Sequence, residues 1–98
     1  MTIDTDGYAP LRAILDAAYA QSASGKGVER HGNGLPWLEQ PILTVTRHHG
    51  LGFATGQAEK KIREAVGMVS RGDKAAGERE LLGAIVYVAG AIQWIREQ

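Results

Sequence analysis

Residues 81–92 read LLGAIVYVAGAI, and this stretch decides the fold. It holds no charged residue, and its one polar side-chain group is the hydroxyl of Tyr87. A helix at the surface of a small monomer normally has an apolar stripe and a polar opposite face, whereas this helix is apolar around its whole circumference. Gly83 and Gly90 are seven residues apart, so they share one side, where another helix could approach closely. We therefore predict a helix that is covered on several sides.

Two arrangements would cover such a helix. It could be the central helix of a three-helix bundle, or one face could pack within the protomer while the glycine face meets a second copy. A chain of 98 residues with 13 glycines and no cysteine has few other elements and no disulfide to stabilise a small core. We favour the second arrangement and predict a homo-oligomer.

Helical spacing extends outward from this stretch. The last helix is predicted at about Asp73 to Glu97, with Asp73 as its N-cap after a turn at 71–73. A preceding helix, from about Phe53 to Ser70, completes an antiparallel helical hairpin. Its inward-facing residues are predicted to be Ala54, Ala58, Ile62, Ala65, Val66 and Val69.

The N-terminal half is punctuated by glycine and proline. A first, short helix is predicted from about Tyr8 to Ala23, with Asp6 as N-cap and Pro10 in the first turn. Its apolar stripe is Leu11, Ile14, Leu15, Ala18 and Tyr19. A loop over 24–34, with four glycines, leads to residues 35–38, which are predicted to enter the core. Pro41 to His49 is predicted to form a short helix, although the β-branched run 42–46 could be a strand. We expect residues 1–98 to form a single all-α domain.

Composition excludes several classes of protein. Eleven Lys+Arg balance eleven Asp+Glu, which argues against a partner that is polymeric nucleic acid or a membrane surface. The absence of cysteine excludes disulfides, thiolate-bound zinc and cysteine nucleophiles. No apolar run is long enough to span a bilayer, and the acidic N-terminus is unlike a signal peptide. The sequence therefore predicts a cytosolic protein.

The charged residues do not form a recognisable catalytic pattern. A helical nucleotide pyrophosphohydrolase needs Glu-x-x-Glu and Glu-x-x-Asp pairs to hold magnesium, but Glu59 and Glu64 are five apart and Glu78 and Glu80 two apart. His48 and His49 are adjacent and would point about 100° apart on a helix. We predict no catalytic residue, no metal site and no cofactor, and hence no enzyme.

Two basic segments are candidate binding sites. Lys26 lies between Gly25 and Gly27, where backbone N–H groups and an ammonium could bind a phosphate, although the pattern is not a Walker A motif. Ser24, Arg30, His31 and the rings of Tyr8 or Tyr19 would suit a ligand with bases and phosphates. The second segment holds Lys60 and Arg63 on one helix face, with Lys61 turned about 100° away. The alternative for the glycine-rich segment is a flexible connection, and the alternative for the segment with Lys60 and Arg63 is a solvated helix face.

Five segments together resemble a family of small bacteriophage proteins. They are AYAQ at 18–21, SGKG-x-ERH at 24–31, QPI at 40–42, QA-x-KK at 57–61 and ELLGAI-x-Y at 80–87. The family is that of the type 2 anti-CBASS proteins, which are cyclic-oligonucleotide sponges, and some relatives are labelled as N-terminal pieces of dATP/dGTP diphosphohydrolases. The similarity extends from about Ala17 to Ile92.

The resemblance implies a homohexamer of helical protomers in the cytoplasm of an infected bacterial host. It implies sequestration, without cleavage, of cyclic dinucleotides such as 3′,3′-cGAMP at protomer interfaces. Lys26 matches the family's phosphate-binding lysine, and Tyr8 or Leu11 takes the position of its base-stacking aromatic residue. A cyclic trinucleotide pocket is also implied, but Val28 replaces the family's hydroxyl residue there. The candidate ligand-binding residues are Tyr8, Arg12, Gly25, Lys26, Gly27, Val28, Arg30, His31, Lys60 and Arg63.

Two other functions are compatible with the sequence. The label carried by relatives suggests a purine deoxynucleoside triphosphate pyrophosphohydrolase, or a fragment of one. A helical protein-interaction module is the other alternative.

Overall fold

The computed structural model of the protein describes residues 7–24 and 33–98. In these ranges the chain forms four α-helices and one 3₁₀ turn, and none of these residues is in a strand. The helices are α1 (Ala9–Ala23), α2 (Pro41–His49), α3 (Leu51–Ser70) and α4 (Lys74–Arg96), and the 3₁₀ turn is Trp37–Glu39. The predicted all-α fold is therefore confirmed for the described chain, and residues 42–46 are helical.

Helices α3 and α4 form the predicted antiparallel hairpin. They are joined by residues 71–73, in which Gly72 adopts a φ of 87° that other residues rarely take. The Asp73 carboxylate accepts a hydrogen bond from the backbone N–H of Ala76 at 3.1 Å, so the predicted N-cap is confirmed.

Small residues make the contact between the two hairpin helices. Ala54, Ala58 and Ala65 of α3 are buried, as predicted. On α4, Gly77 lies so close to α3 that a Cβ there would be 2.5 Å from Cγ2 of Val69. The helices therefore approach more closely than leucine or valine at the contact would allow.

The prediction was wrong for the branched residues of α3. Ile62, Val66 and Val69 are 45–62% exposed instead of buried. They flank the alanine face of α3, and the described part of the protomer leaves them substantially uncovered.

The glycines of α4 pack within the protomer. A Cβ at Gly83 would lie 3.1 Å from Cδ of Lys61 in α3, and one at Gly90 would lie 3.2 Å from Cγ1 of Ile42 in α2. The prediction that the side carrying Gly83 and Gly90 meets a second copy is therefore wrong.

Helix α2 supplies the largest side chains of the core. Leu43 is 1% exposed, and Thr46 is fully buried with its hydroxyl donating to the carbonyl of Ile42 at 2.6 Å. The helix begins at Pro41, as predicted. Gly50, with a φ of 92°, is the single residue between α2 and α3 and lets the chain turn sharply.

An arginine joins three elements at one end of the molecule. Nε and Nη2 of Arg47 each lie 2.8 Å from the Glu97 carboxylate, and Nη1 donates to the carbonyl of Leu38 at 2.7 Å. The hydrogen bond from Arg47, followed by one from Gln93, lowers the pKa of Glu97 to about 2. The pair connects α2, the 3₁₀ turn and the residue that follows α4.

Helix α1 is thinly attached. It contacts α4, and Gln21 donates to the Arg79 carbonyl at 3.0 Å. Pro10 lies in the first turn as predicted, whereas Tyr8 occupies the N-cap position without a side-chain hydrogen bond, and Asp6 lies outside the described residues. Of the predicted apolar stripe only Ala18 is buried, because no described element covers the other side of this helix.

The segment before α2 also differs from the prediction. Leu35 and Leu38 are 43% and 52% exposed, and Trp37 is half-buried, so residues 35–38 do not enter the core as a block. None of the described helices is both long enough and apolar enough to cross a membrane.

Candidate functional site

A groove of about 800 Å³ lies between α1, the 3₁₀ turn and α4. It is bordered at one side by the last turn of α1 and at another by Leu35, so it lies where the chain leaves α1 and where it returns before α2. Its volume falls in the range of about 300–1,000 Å³ that is typical of small-molecule sites. Its lining residues are Leu15, Ala18, Tyr19, Ser22, Ala23, Leu35, Trp37, Gln40, Ile85, Val86, Ala89, Ile92, Gln93 and Arg96.

The groove combines aromatic rings with a cation. Tyr19 is 76% exposed and Trp37 is half-buried, so both rings have accessible surface for stacking. Arg96 is the charged residue of this lining, and it makes no ion pair with any residue of the described ranges. Gln40 and Gln93 add amide groups that could hydrogen-bond to the edge of a base. Stacking surfaces, amides and a cation are the groups that bind nucleotides in open grooves.

A smaller pocket of about 60 Å³ adjoins the groove, since Ser22, Gln40 and Val86 line both. Its other lining residues are Gln21, Ile42, Lys61, Gly83 and Tyr87. We call it the side pocket. Burial raises the pKa of Tyr87, so its hydroxyl stays protonated at neutral pH.

Most of the predicted ligand-binding residues lie outside the described part of the chain. These are Gly25, Lys26, Gly27, Val28, Arg30 and His31. The groove is nevertheless lined by Ser22 and Ala23, which precede this segment, and by Leu35, which follows it.

The other predicted ligand-binding residues are exposed and do not line the groove. Tyr8 and Arg12 lie one turn apart at the start of α1, where the backbone N–H of Arg12 donates to the Tyr8 carbonyl. Lys60 and Arg63 lie on the outer face of α3. Each pairs with a glutamate one turn away, at 3.8 Å and 3.4 Å respectively. Because each of these positive charges has a glutamate one turn away, the face carries no concentrated positive patch.

Three residues at or beside the groove were not among the predicted site residues. Trp37 was predicted to enter the core, Lys61 was predicted to point away from the basic face, and Arg96 was given no role. Only the aromatic ring of Trp37 beside a glycine-rich segment offered a signal in the sequence.

The histidines and acidic residues form no cluster in the described chain. The rings of His48 and His49 lie edge to face with centroids 4.6 Å apart, at the exposed end of α2. Within residues 7–24 and 33–98, no three His, Asp or Glu side chains are placed to hold a metal ion together.

No family model, no curated protein and no solved structure matches this chain.

Proposed function

We propose that this protein sequesters a cyclic dinucleotide such as 3′,3′-cGAMP without cleaving it, and thereby antagonises bacterial CBASS defence. The observation that carries the proposal is the groove, which is lined by two accessible aromatic rings, Tyr19 and Trp37, and by Arg96, an arginine without an ion-pair partner among the described residues. Base–aromatic stacking contributes about 1–3 kcal/mol per base, and an arginine forms two directed hydrogen bonds to a phosphate. The resemblance to the anti-CBASS sponges supplies the identity of the ligand.

Lys26 provides a second cation in this proposal. It lies outside the described residues, but it is two positions beyond Ser24, where α1 has ended beside the groove. A ligand with two phosphates requires more than one cation for neutralisation, and Lys26 and Arg96 supply two cations. Cyclic trinucleotides are secondary ligands in this proposal, because Val28 lacks the hydroxyl of the family pattern.

The proposal includes a homo-oligomer, a hexamer by resemblance. Fourteen large apolar residues of the described chain are at least 43% exposed, whereas the buried core of the hairpin is mostly alanine. Large exposed apolar surfaces are rare on monomers, so this pattern favours burial between copies. The uncovered faces belong to α1, to the Ile62–Val66–Val69 flank of α3 and to the Leu81–Val88–Ile95 line of α4.

The test is a calorimetric titration of the purified protein with 3′,3′-cGAMP. We expect tight, stoichiometric binding, and intact ligand recovered after heat denaturation. Lys26→Ala should weaken binding strongly while leaving the sedimentation coefficient unchanged, and Lys74→Ala, at the far end of the hairpin, should bind as the wild type does.

Four results would overturn the proposal. Linear or mononucleotide products would indicate an enzyme, and EDTA-sensitive pyrophosphate release from dATP or dGTP would indicate the pyrophosphohydrolase. An oligomer that binds neither 3′,3′-cGAMP nor another cyclic nucleotide would indicate a protein-interaction module. A strictly monomeric species at working concentration would refute the assembly.

A further inference from the structure

The side pocket contains a lysine in an unusual setting. The side chain of Lys61 is 18% exposed, while that of its neighbour Lys60 is 67% exposed. Its stem lies along α4 because Gly83 has no side chain: a Cβ there would be 3.1–3.4 Å from Cδ, Cε and Nζ. This glycine therefore leaves room for a cation in the wall of the side pocket.

The ammonium group of Lys61 has hydrogen-bonding capacity to spare. Its Nζ lies 3.4 Å from a carboxylate oxygen of Glu80, a long contact that uses one of three N–H donors. It also lies 5.9 Å from the centre of the Tyr87 ring, within the range of a cation–π interaction. Glu80 is not among the residues that line the pocket, so its carboxylate pairs with Lys61 from outside the pocket wall.

The remaining polar walls are fixed in place. The amide nitrogens of Gln21 and Gln40 donate to the backbone carbonyls of Arg79 and Leu35, at 3.0 Å and 2.9 Å. The hydroxyls of Ser22 and Tyr87 are further polar groups of the lining, and either can act as a donor. A pocket of about 60 Å³ accommodates about four water molecules, so it is too small for a base and suits a tetrahedral group of oxygens.

We propose that the side pocket holds one phosphate of the ligand, on Lys61 and the hydroxyls of Ser22 and Tyr87, while the attached base lies in the groove against Trp37. This assignment rests on the proposed function and names the part of the protein that receives the anionic group. It replaces Lys60 and Arg63. All three cations have a glutamate partner, but Lys60 and Arg63 are exposed to solvent on the outer face of α3, whereas Lys61 is partly buried. The partly buried position of Lys61 makes its interaction with an anion stronger than that of an exposed lysine.

Adjacent lysines allow a sharp test. Calorimetric titration with 3′,3′-cGAMP is compared for the wild type, Lys61→Met and Lys60→Met; methionine retains most of the lysine stem without the charge. Loss of a hydrogen-bonded charge predicts about 10- to 100-fold weaker binding for Lys61→Met. Lys60→Met should change the dissociation constant less than about 2-fold, the effect of removing an exposed, screened charge.

Lys61→Met leaves Glu80 without its partner, so its folding is verified by circular dichroism and its melting temperature is measured. If this variant does not fold, Lys61→Met/Glu80→Gln removes both charges and takes its place. Ser22→Ala, which leaves the ion pair intact, should weaken binding several-fold in either case.

The outcomes separate this assignment from the proposed function. If the wild type binds and the Lys61 and Ser22 variants bind equally well, the side pocket is not the phosphate site, while sequestration itself stands. A loss in Lys60→Met with none in Lys61→Met would place the phosphate on the outer face of α3 and overturn the assignment. If the wild type binds no cyclic nucleotide, the proposed function fails first.

Discussion

Alanine should have opposite effects at two glycines of the helical hairpin. Gly56 and Gly77 both lie within helices. A Cβ at Gly56 would have no neighbouring atom within 4 Å, whereas one at Gly77 would lie 2.5 Å from Cγ2 of Val69 and 3.2 Å from the carbonyl oxygen of Ala65. The first position has room for a methyl group, and the second does not.

The magnitudes follow from this geometry. Alanine is favoured over glycine inside a helix by about 0.5–1 kcal/mol, so Gly56→Ala should stabilise the fold by that amount. Gly77→Ala gains the same term but forces α3 and α4 apart, and overpacking of this kind costs about 1–3 kcal/mol. We expect a net loss of about 1–2 kcal/mol for Gly77→Ala, and therefore a difference of about 2–3 kcal/mol between the two variants.

The assay is urea unfolding followed by far-UV circular dichroism, at one fixed protomer concentration because association shifts apparent stability. The double variant Gly77→Ala/Val69→Ala should recover part of the loss, since it removes the closest atom and leaves the 3.2 Å contact with Ala65. Equal stability of Gly77→Ala and Gly56→Ala would refute the close approach of the two helices.

Two further predictions concern α2 and its connection to the C-terminal end of α4. In the unfolded state the Glu97 carboxylate takes up a proton near pH 4.5, whereas in the folded state its hydrogen bond from Arg47 keeps it ionised down to about pH 2. The stabilisation by the Arg47–Glu97 pair is therefore fully present above pH 4.5 and is lost as the pH falls from 4.5 to about 2. Glu97→Gln should remove that part of the acid-unfolding profile, and an unchanged profile would contradict the pairing. Leu43→Ala should lower the free energy of unfolding by about 2–5 kcal/mol, measured by thermal or urea unfolding, because Leu43 is buried. Leu38→Ala, at a side chain that is 52% exposed, should lower it by less than about 0.5 kcal/mol. Similar losses for the two variants would contradict the burial of Leu43 against the core.

Local signals predicted the helices well. Three helix starts lie where they were predicted: Pro10 and Pro41 are in the first turns of α1 and α2, and Asp73 is the N-cap of α4. Capping and the fixed φ of proline depend on neighbouring residues alone, so the sequence is enough to predict them. The hairpin follows from two long helical patterns separated by a three-residue turn.

Periodicity was less informative about which flank of each helix is buried. It places Ala58 and Ile62 on one broad side of α3, but the close contact made by the alanines leaves Ile62 at the edge. In the same way, the seven-residue spacing puts Gly83 and Gly90 on one side of α4 without indicating that Lys61 and Ile42 occupy it.

The candidate site was the least predictable part. Trp37 and Arg96 are far apart in sequence and line one groove only because α4 packs between α1 and α2. No spacing rule connects them. Lys61 lies beside the side pocket because Gly83, on another helix, leaves room for its stem.

The alanine and glycine contact between α3 and α4 bears on the calorimetry of this protein. The heat-capacity change of unfolding follows the apolar area that becomes hydrated, and alanine contributes little of it. The heat-capacity change on unfolding of an isolated protomer should therefore be below the usual value of about 12–15 cal/mol/K per residue. A heat-capacity change at or above that value would indicate that unfolding also exposes apolar surface that self-association buries.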